Sequence, residues 1–425
     1  MRVAVVGAGI TGLALTHHLA NADVDVVTFE AASEPGGVMR SRTVDGRILE
    51  DGPQRLRRTD EFDDLVADLD LAHEILVAAD DPPLYVYVDG QLRKVPKTVS
   101  DLVTSDILTW RDKLGLLSEP FSASLNPEEM IADEFRRKFG NRIYRNLIEP
   151  IVGGMYGSDP EEMPVGYALE RIVSFESQHR SLLTGALKRA RSNHALPPVV
   201  SFESGVQTLA RALYEEHEPY INLNQPVTSI ERFMGGQFAV RTSKGSVGVD
   251  HVVLTTPAKT TASLLADIED CYAEPLTNLR YNSLAVVHLD AELDRSGFGY
   301  QVPRGEGIST LGVTWNGPLL GRDNIQTAFL GGMWEPELLD RPHDELGELA
   351  AEEFETVTGE PASVIDVTQL PEIIPAFDRS WSAIDDIALS EDVTIASNYT
   401  ARVGIPGRLR EAKQVARDIA AIELG

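Results

Sequence analysis

The opening of the chain constrains the fold more than any other stretch. Val3 to Val6 is a short apolar run, and Gly7, Gly9 and Gly12 punctuate the turn and helix start after it, Val5-Val-Gly-Ala-Gly-Ile-Thr-Gly-Leu13. Leu13 to Leu19 then has helical character, and Val24 to Phe29 reads as a second buried strand. Strand, glycine turn, helix and strand make a βαβ unit, which commits the chain to an α/β sheet. Each glycine has a task there. Gly7 permits the tight turn, Gly9 lets backbone approach a pyrophosphate, and Gly12 lets the helix pack closely on the strand. The N–H groups at the start of the helix offer partial positive charge to phosphates. Glu30 ends the second strand, where a carboxylate grips a ribose diol and disfavours a 2′-phosphate. The sequence therefore predicts a dinucleotide site, against the plainer alternative of a glycine-rich turn in a structural βαβ unit.

With 425 residues the chain is long enough for a large core in two or three domains. No apolar run is long enough to predict a membrane-spanning helix. The first strand begins at Arg2 or Val3, so no signal peptide is expected, and the cytoplasm is the default compartment. The single cysteine, Cys271, excludes an intramolecular disulfide and reads as a small core residue. No histidine spacing, around His17, His18 or elsewhere, suggests a metal site. The formal net charge of −28 argues against nucleic acid and against anionic membrane, because both would repel the protein. Only eight of the 38 basic residues are lysine. An acid-rich, lysine-poor surface suits a salt-loaded cytoplasm, where screening relieves self-repulsion, so a halophilic source is expected. Full stability without salt would end that expectation.

After Glu30, Gly36-Gly37 can carry a loop close under a bound cofactor. A site for NAD alone has no need of this second element, and it points to FAD. Glu50-Asp-Gly-Pro-Gln-Arg-Leu-Arg-Arg58 is a sharp turn with three arginines, either a solvated basic loop or a cation cluster for an anionic substrate. Asp60 to Ala72 is helical by periodicity, and Leu84 to Arg93 reads as a hairpin turning at Asp89-Gly90. Lys97 to Arg191 is mostly helical, with Asn126 as a predicted N-cap, Pro127 at the first helical position and a stop at Gly140. Asn222 to Ser229, Phe238 to Thr242 and His251 to Leu254 read as strands after Pro197-Pro198, as do Ser283 to Leu289 and Thr327 to Leu330. Asp344 to Thr356 reads as an acidic amphipathic helix. The chain closes with a strand from Val393 to Asn398, a loop from Tyr399 to Gly407 and a helix from Leu409 to Ile422.

Taken together, the opening motif, Glu50-Asp-Gly-Pro53, Glu149-Pro-Ile-Val-Gly-Gly-Met-Tyr-Gly-Ser-Asp-Pro160, Gly205-Val-Gln-Thr-Leu209 and Asn398-Tyr-Thr-Ala-Arg-Val-Gly-Ile-Pro406 resemble the flavin-dependent protoporphyrinogen oxidase family of the flavin amine oxidase superfamily. The resemblance runs almost the whole length. It implies an α/β, overall α+β, protein with a discontinuous Rossmann-like FAD-binding domain at residues 1–56, 200–262 and 380–425. A mixed-sheet substrate domain would take 57–96 and 263–379, and a helical insert 97–199. By the same resemblance Gly7, Ala8, Gly9, Ile10, Thr11 and Gly12 cradle the FAD pyrophosphate and Glu30 holds the ribose. Gly36, Gly37, Val38, Asp51, Gly52, Pro53 and Gln54 line the cofactor, and Val227 meets the adenine through its backbone. Asn398, Val403, Gly404 and Ile405 lie against the isoalloxazine and ribityl chain. Arg57 matches the position that pairs with a porphyrin propionate.

Two features depart from the family. Glu34 stands where an arginine is usual, so a cationic contact is lost or supplied by Arg40 or Arg42. Near Ile374 to Ser380 a Tyr and a Gly-His pair are missing. The resemblance implies six-electron oxidation of a porphyrinogen, protoporphyrinogen IX to protoporphyrin IX in haem biosynthesis, with O2 or another acceptor taking the electrons. Alternatives are a coproporphyrinogen III oxidase, an amine oxidase or carotenoid desaturase, and a flavin-binding scaffold without activity. No catalytic acid or base is identified. The apolar residues of 102–117 and 121–125 are interrupted by Asp106, Asp112 and Glu119, so a soluble or weakly membrane-peripheral protein is expected. A homodimer is compatible with the sequence.

Overall fold

The computed structural model describes residues 1–79, 81–191, 197–233, 235–400 and 404–424. The chain is a mixed α/β protein of two compact units, one of Met1–Ala78, Pro197–Leu279 and Ser382–Gly425, the other of Ala79–Leu196 and Arg280–Trp381. Residues 57–78 and 263–279 fall in the first unit, and the helices of 97–191 belong to the same unit as the sheet that follows them. Among the described residues no helix is long and apolar enough to cross a membrane.

The first unit is built on a five-stranded parallel sheet. Its strands are β1 (Arg2–Val6), β2 (Asp25–Phe29), β3 (Ile221–Asn222), β4 (His251–Leu254) and β5 (Val393–Ile395), in the order β3-β2-β1-β4-β5. The helix α1 (Ile10–Asn21) joins β1 to β2, and α2 (Ile405–Leu424) closes the chain. β1 lies at the centre, paired in parallel with β2 and β4, because its side chains Val3 to Val6 are apolar without a break and suit a strand covered on both faces. One core holds both chain ends. Val3, Val5, Leu13 and Leu19 from the start share it with Ile405, Leu409, Ala412, Ala416 and Ile419 from the end.

Two expectations are corrected here. Asn222 to Ser229 is not one strand: Ile221–Asn222 joins the parallel sheet, and Val227–Arg232 starts a separate antiparallel sheet with Phe238–Thr242 and Gly245–Val249. Asn224 breaks the run with a φ of +54°, a conformation asparagine tolerates. The closing helix begins at Ile405, not Leu409, with Gly404 at φ +87° just before it.

The second unit carries a seven-stranded sheet. In spatial order its strands are Ser363–Pro375, Tyr281–Asp290, Ile325–Gly331, Gly312–Thr314, Gly299–Gln301, Leu84–Val88 and Gln91–Lys94. Trp315, Tyr300 and Phe354 fill its core. The hairpin turns at Asp89-Gly90, both at positive φ, as two-residue hairpin turns require. The helix predicted from Pro127 starts instead at Ile131. Asn126 accepts from the Glu128 N–H within a turn, while Val165 N–H donates to the Glu129 carbonyl and Met130 bridges Pro164, so tertiary pairing holds Met130 extended just before the helix. Inside the helical segment Lys138 is buried between Glu119 (3.3 Å) and Glu176 (2.5 Å). Removing either partner would leave a buried uncompensated charge.

Candidate functional site

The turn between β1 and α1 is held by a closed set of contacts. Gly7 has a φ of +110°, donates to the Phe29 carbonyl at 2.7 Å, and a Cβ there would lie 2.5 Å from Thr255 Oγ1. Thr255 Oγ1 in turn donates to the carbonyls of Val6 and Gly7. A Cβ on Gly12 would collide with the Gly7 carbonyl oxygen, so only glycine lets the helix start this close to the strand. Gly9 differs: a Cβ there would meet nothing within 4 Å. Gly9 is also the N-cap of α1, with no side-chain cap and no acid in the first turn. The first-turn N–H groups of a helix have no intrahelical acceptor, so this end is open to an anion. Ala8, Ile10, Thr11 and Gly12 are all buried there.

Glu30 lies beside this turn. Its carboxylate accepts from Ala8 N–H (2.7 Å) and Ala32 N–H (2.8 Å), one to each oxygen. A carboxylate oxygen has two acceptor positions, so one on each oxygen stays available for a hydroxyl. The Gly36-Gly37 loop crosses directly over the turn. Gly36 N–H donates to Ala8 O at 2.8 Å, Gly36 bridges Gly9, and a Cβ on Gly37 would lie 3.2 Å from the Gly9 Cα. The next residue, Val38, is half-buried, and its carbonyl would collide with a Cβ on Gly52. Asp51 is buried and binds Arg42 through two hydrogen bonds of 2.5 and 2.7 Å. Gln54 is buried too, donating to the carbonyls of Glu50 and Gly52, and Pro53 stands between them half-buried. Arg42 is therefore committed to Asp51, while Arg40 donates to Gly37 O at 3.3 Å. Glu34, Arg40, Arg42 and Arg211 line a cleft of about 690 Å³ next to this loop.

The tail adds its part within the same unit. Ser397 Oγ donates to Thr256 O (2.8 Å), and Tyr399 OH donates to Thr261 Oγ1 (2.8 Å). These bonds fix Asn398 between them, half-buried at the end of β5. Ile405 is buried in the core that also holds Ala8 and Ile10. Val403 lies outside the described residues. Val227 pairs with Thr242 in the small antiparallel sheet. Arg57 is on an edge strand and donates from Nη1 to Pro197 O at 2.8 Å. Burial, followed by the charge of Arg57, pulls the Arg55 guanidinium down to about 10.

Sequence reasoning passed over one cluster, in the second unit. Residues 144–148 form a π turn, and the helix Glu149–Tyr156 follows. A Cβ on Gly153 would collide with the Trp334 ring, and one on Gly154 with the Gln301 amide. Trp334 Nε1 and Gln301 Oε1 are both buried without a hydrogen-bond partner among the described residues. Glu149 is 8% exposed, and burial, then the like charge of Asp159, raises its carboxyl to about 7. The one sequence signal was an acid inside a family-specific stretch, and an acid beginning a helix ordinarily serves the dipole.

The chain is similar to known flavoproteins along nearly its whole length. The family model described as flavin containing amine oxidoreductase matches residues 10–420. Chloroplastic protoporphyrinogen oxidase 1 of Spinacia oleracea is 27% identical over 98% of this chain and 83% of its own length. Coproporphyrinogen III oxidase of Bacillus subtilis is 24% identical over 88% of this chain and 87% of its own. Two solved structures share the fold. A candidate protoporphyrinogen oxidase from Exiguobacterium sp. 255-15 superposes with a TM-score of 0.81 at 23% identity, covering 99% of this chain and 98% of the other. Cyclohexylamine oxidase from Brevibacterium oxydans IH-35A gives 0.72 at 14% identity, covering 100% and 99%. An open helix terminus over a glycine turn, an acid beside it and a family match across nearly the whole chain lead to one assignment: this is a flavin-dependent oxidoreductase belonging to the flavin-containing amine oxidoreductase family.

Proposed function

We propose that the protein is an FAD-dependent oxidase that converts protoporphyrinogen IX to protoporphyrin IX, with O2 as electron acceptor. The observation that carries the FAD reading is the uncapped start of α1 over Gly9, with Glu30 on one side and the Gly36-Gly37 loop above. That cradle suits a diphosphate and a ribose diol together. Gly7 to Gly12 would hold the pyrophosphate, Glu30 the ribose, and Gly36 to Val38 with Asp51 to Gln54 would line the cofactor. Val227 would meet the adenine through its backbone, and Asn398, Val403, Gly404 and Ile405 would lie against the isoalloxazine and ribityl chain. The first unit would thus be the nucleotide domain and the second the substrate domain. Bound flavin supplies hydride acceptance; the chain supplies orientation, charge and exclusion of water.

The porphyrinogen reading is supported by the relatives of that name and by Arg55, Arg57 and Arg58, cations suited to propionates. A second reading, coproporphyrinogen III oxidase, is favoured by the Bacillus subtilis relative and by the same basic cluster, since that substrate carries more carboxylates. Anaerobic mixing of the purified protein with each porphyrinogen, followed by flavin absorbance, separates them. Faster bleaching by protoporphyrinogen IX is the expected result. Faster bleaching by coproporphyrinogen III exchanges the two readings, and no bleaching by either overturns both.

A further inference from the structure

The Gly36-Gly37 loop meets the opening turn through backbone, with Gly36 N–H on Ala8 O and Gly36 bridging Gly9. Its two ends are joined by one side chain of the same unit. Gln207 is the first residue of the helix Gln207–Glu216 and is 1% exposed. Its Nε2 donates to the Pro35 carbonyl at 3.2 Å, and its Oε1 accepts from Ser41 N–H at 3.0 Å. Pro35 precedes the two glycines, and Ser41 begins the strand that leaves the loop. The amide fits only this way round, since a flip would set N–H against N–H and oxygen against oxygen. No carboxylate or apolar side chain of that size could serve both ends.

Gln207 is itself firmly mounted. Its N–H donates to Ser41 Oγ at 3.0 Å, Val206 N–H donates to Glu50 Oε1 at 2.9 Å, and Ser41 Oγ donates to Glu50 Oε2 at 2.5 Å. Gly205, at φ +97°, lies so close that a Cβ there would collide with Ser41. Arg211, one turn along the helix, donates to Gln207 Oε1 at 3.0 Å. Leu209, Ala210 and Leu213 root the helix in the core that also holds Ala8 and Ile10. The loop thus hangs from a rigid element. On its outer side the cleft of about 690 Å³, lined by Glu34, Arg40 and Gln207 among others, gives it room to move away from the turn.

We propose that Gln207 is a positioning residue for the cofactor: its amide ties the two ends of loop 35–41 together and so sets how close Gly36 and Gly37 stand to the opening turn. This rests on the FAD reading above. Gln207 acts through the loop. With the amide in place the loop is ordered before FAD arrives, so binding does not have to fix it. Without the amide the closed loop becomes a minority state, and the apparent affinity falls by the fraction that remains closed. The clearance it keeps is small, because a Cβ on Gly37 would lie 3.2 Å from the Gly9 Cα.

The test titrates flavin-stripped wild type, Gln207→Glu and Gln207→Leu with FAD, read by quenching of flavin fluorescence, and follows backbone amide exchange in the stripped proteins. Stripped wild type is expected to protect the Gly36 and Ser41 amides. Gln207→Glu keeps an acceptor for Ser41 and Arg211 and loses the donor to Pro35. Its FAD affinity should fall about tenfold at neutral pH. Relative to wild type at the same pH it should recover in acid, where the new carboxyl is protonated and donates again. Gln207→Leu loses both bonds and should fall about a hundredfold. In both variants faster exchange should be confined to residues 36–41. Wild-type affinity in Gln207→Glu overturns the proposal and leaves the FAD reading standing. So does exchange that rises across the whole unit with no recovery in acid, which marks a structural role. So do unprotected Gly36 and Ser41 amides in stripped wild type, a result that needs no variant to fold. A wild type that binds no FAD overturns both readings.

Discussion

The glycines of the opening turn and those of helix Glu149–Tyr156 are both enforced by close packing, but against different neighbours. At Gly7 and Gly12 the neighbours are backbone and a hydroxyl that is itself bonded, so the turn is closed and every contact is used. At Gly153 and Gly154 the neighbours are the tips of Trp334 and Gln301, whose polar atoms stay unpaired among the described residues. The first region is closed by the chain itself and leaves the helix terminus open. The second leaves two polar side-chain atoms unpaired among the described residues. A rigid, closed cradle suits a resident cofactor.

Mutations sharpen this contrast. Gly12→Ala forces a Cβ into the Gly7 carbonyl, where nothing can yield, and is expected to cost about 3 kcal/mol of stability and abolish FAD retention. Thermal melting and flavin absorbance check both. Glu30→Ala strips the Ala8 and Ala32 N–H groups of their acceptor and should weaken FAD binding by about 2 kcal/mol, read by fluorescence titration.

Acid and base act on opposite signs. Burial lowers the imidazoles of His18, to about 4, and of His217 and His251. Each binds its proton less tightly folded than unfolded, so the stability it contributes is whole above 6.5 and declines as pH falls below it, for His18 down to about 4. Glu149 is raised from 4.5 to about 7, so its contribution is whole below 4.5 and is lost as pH rises through 7. Glu411 in α2 shares that sign, raised to about 7 by burial. Glu149→Gln should therefore stabilise the protein on the alkaline side, on the order of 1 kcal/mol, with no gain in acid. Denaturant midpoints across pH measure it. The smallest effect is expected at Gly154→Ala. The Gln301 side chain can swing away, so only about 0.5 kcal/mol of stability is lost, a small fall in melting temperature.

Much of the first region was legible in the sequence because local rules and tertiary demands coincide there. An unbroken apolar strand, spaced glycines and an acid at the next strand's end each predict what packing also requires. The hairpin at Asp89-Gly90 was legible for the same reason. Where tertiary pairing overrides propensity, the reading failed. Asn126-Pro127 has the residues of a helix start, yet Val165 and Pro164 claim the backbone of 129–130. The strand Ser363–Pro375 was passed over altogether, because its residues alternate weakly and it owes its form to pairing with Tyr281–Asp290. Glu149 shows the limit for sites. Its residue type and place at a helix start are ordinary, and only burial with three committed arginines sets it apart.

The central claim is that both ends of the chain build one flavin cradle, with Gly7 to Gly12 beneath the diphosphate. Titrating the flavin-stripped protein with FAD, followed by quenching of flavin fluorescence, tests it most directly. The account predicts saturation at one FAD per chain in the wild type and no uptake by Gly12→Ala. A wild type that takes up no FAD, or a Gly12→Ala variant that folds and binds it equally well, would contradict the claim.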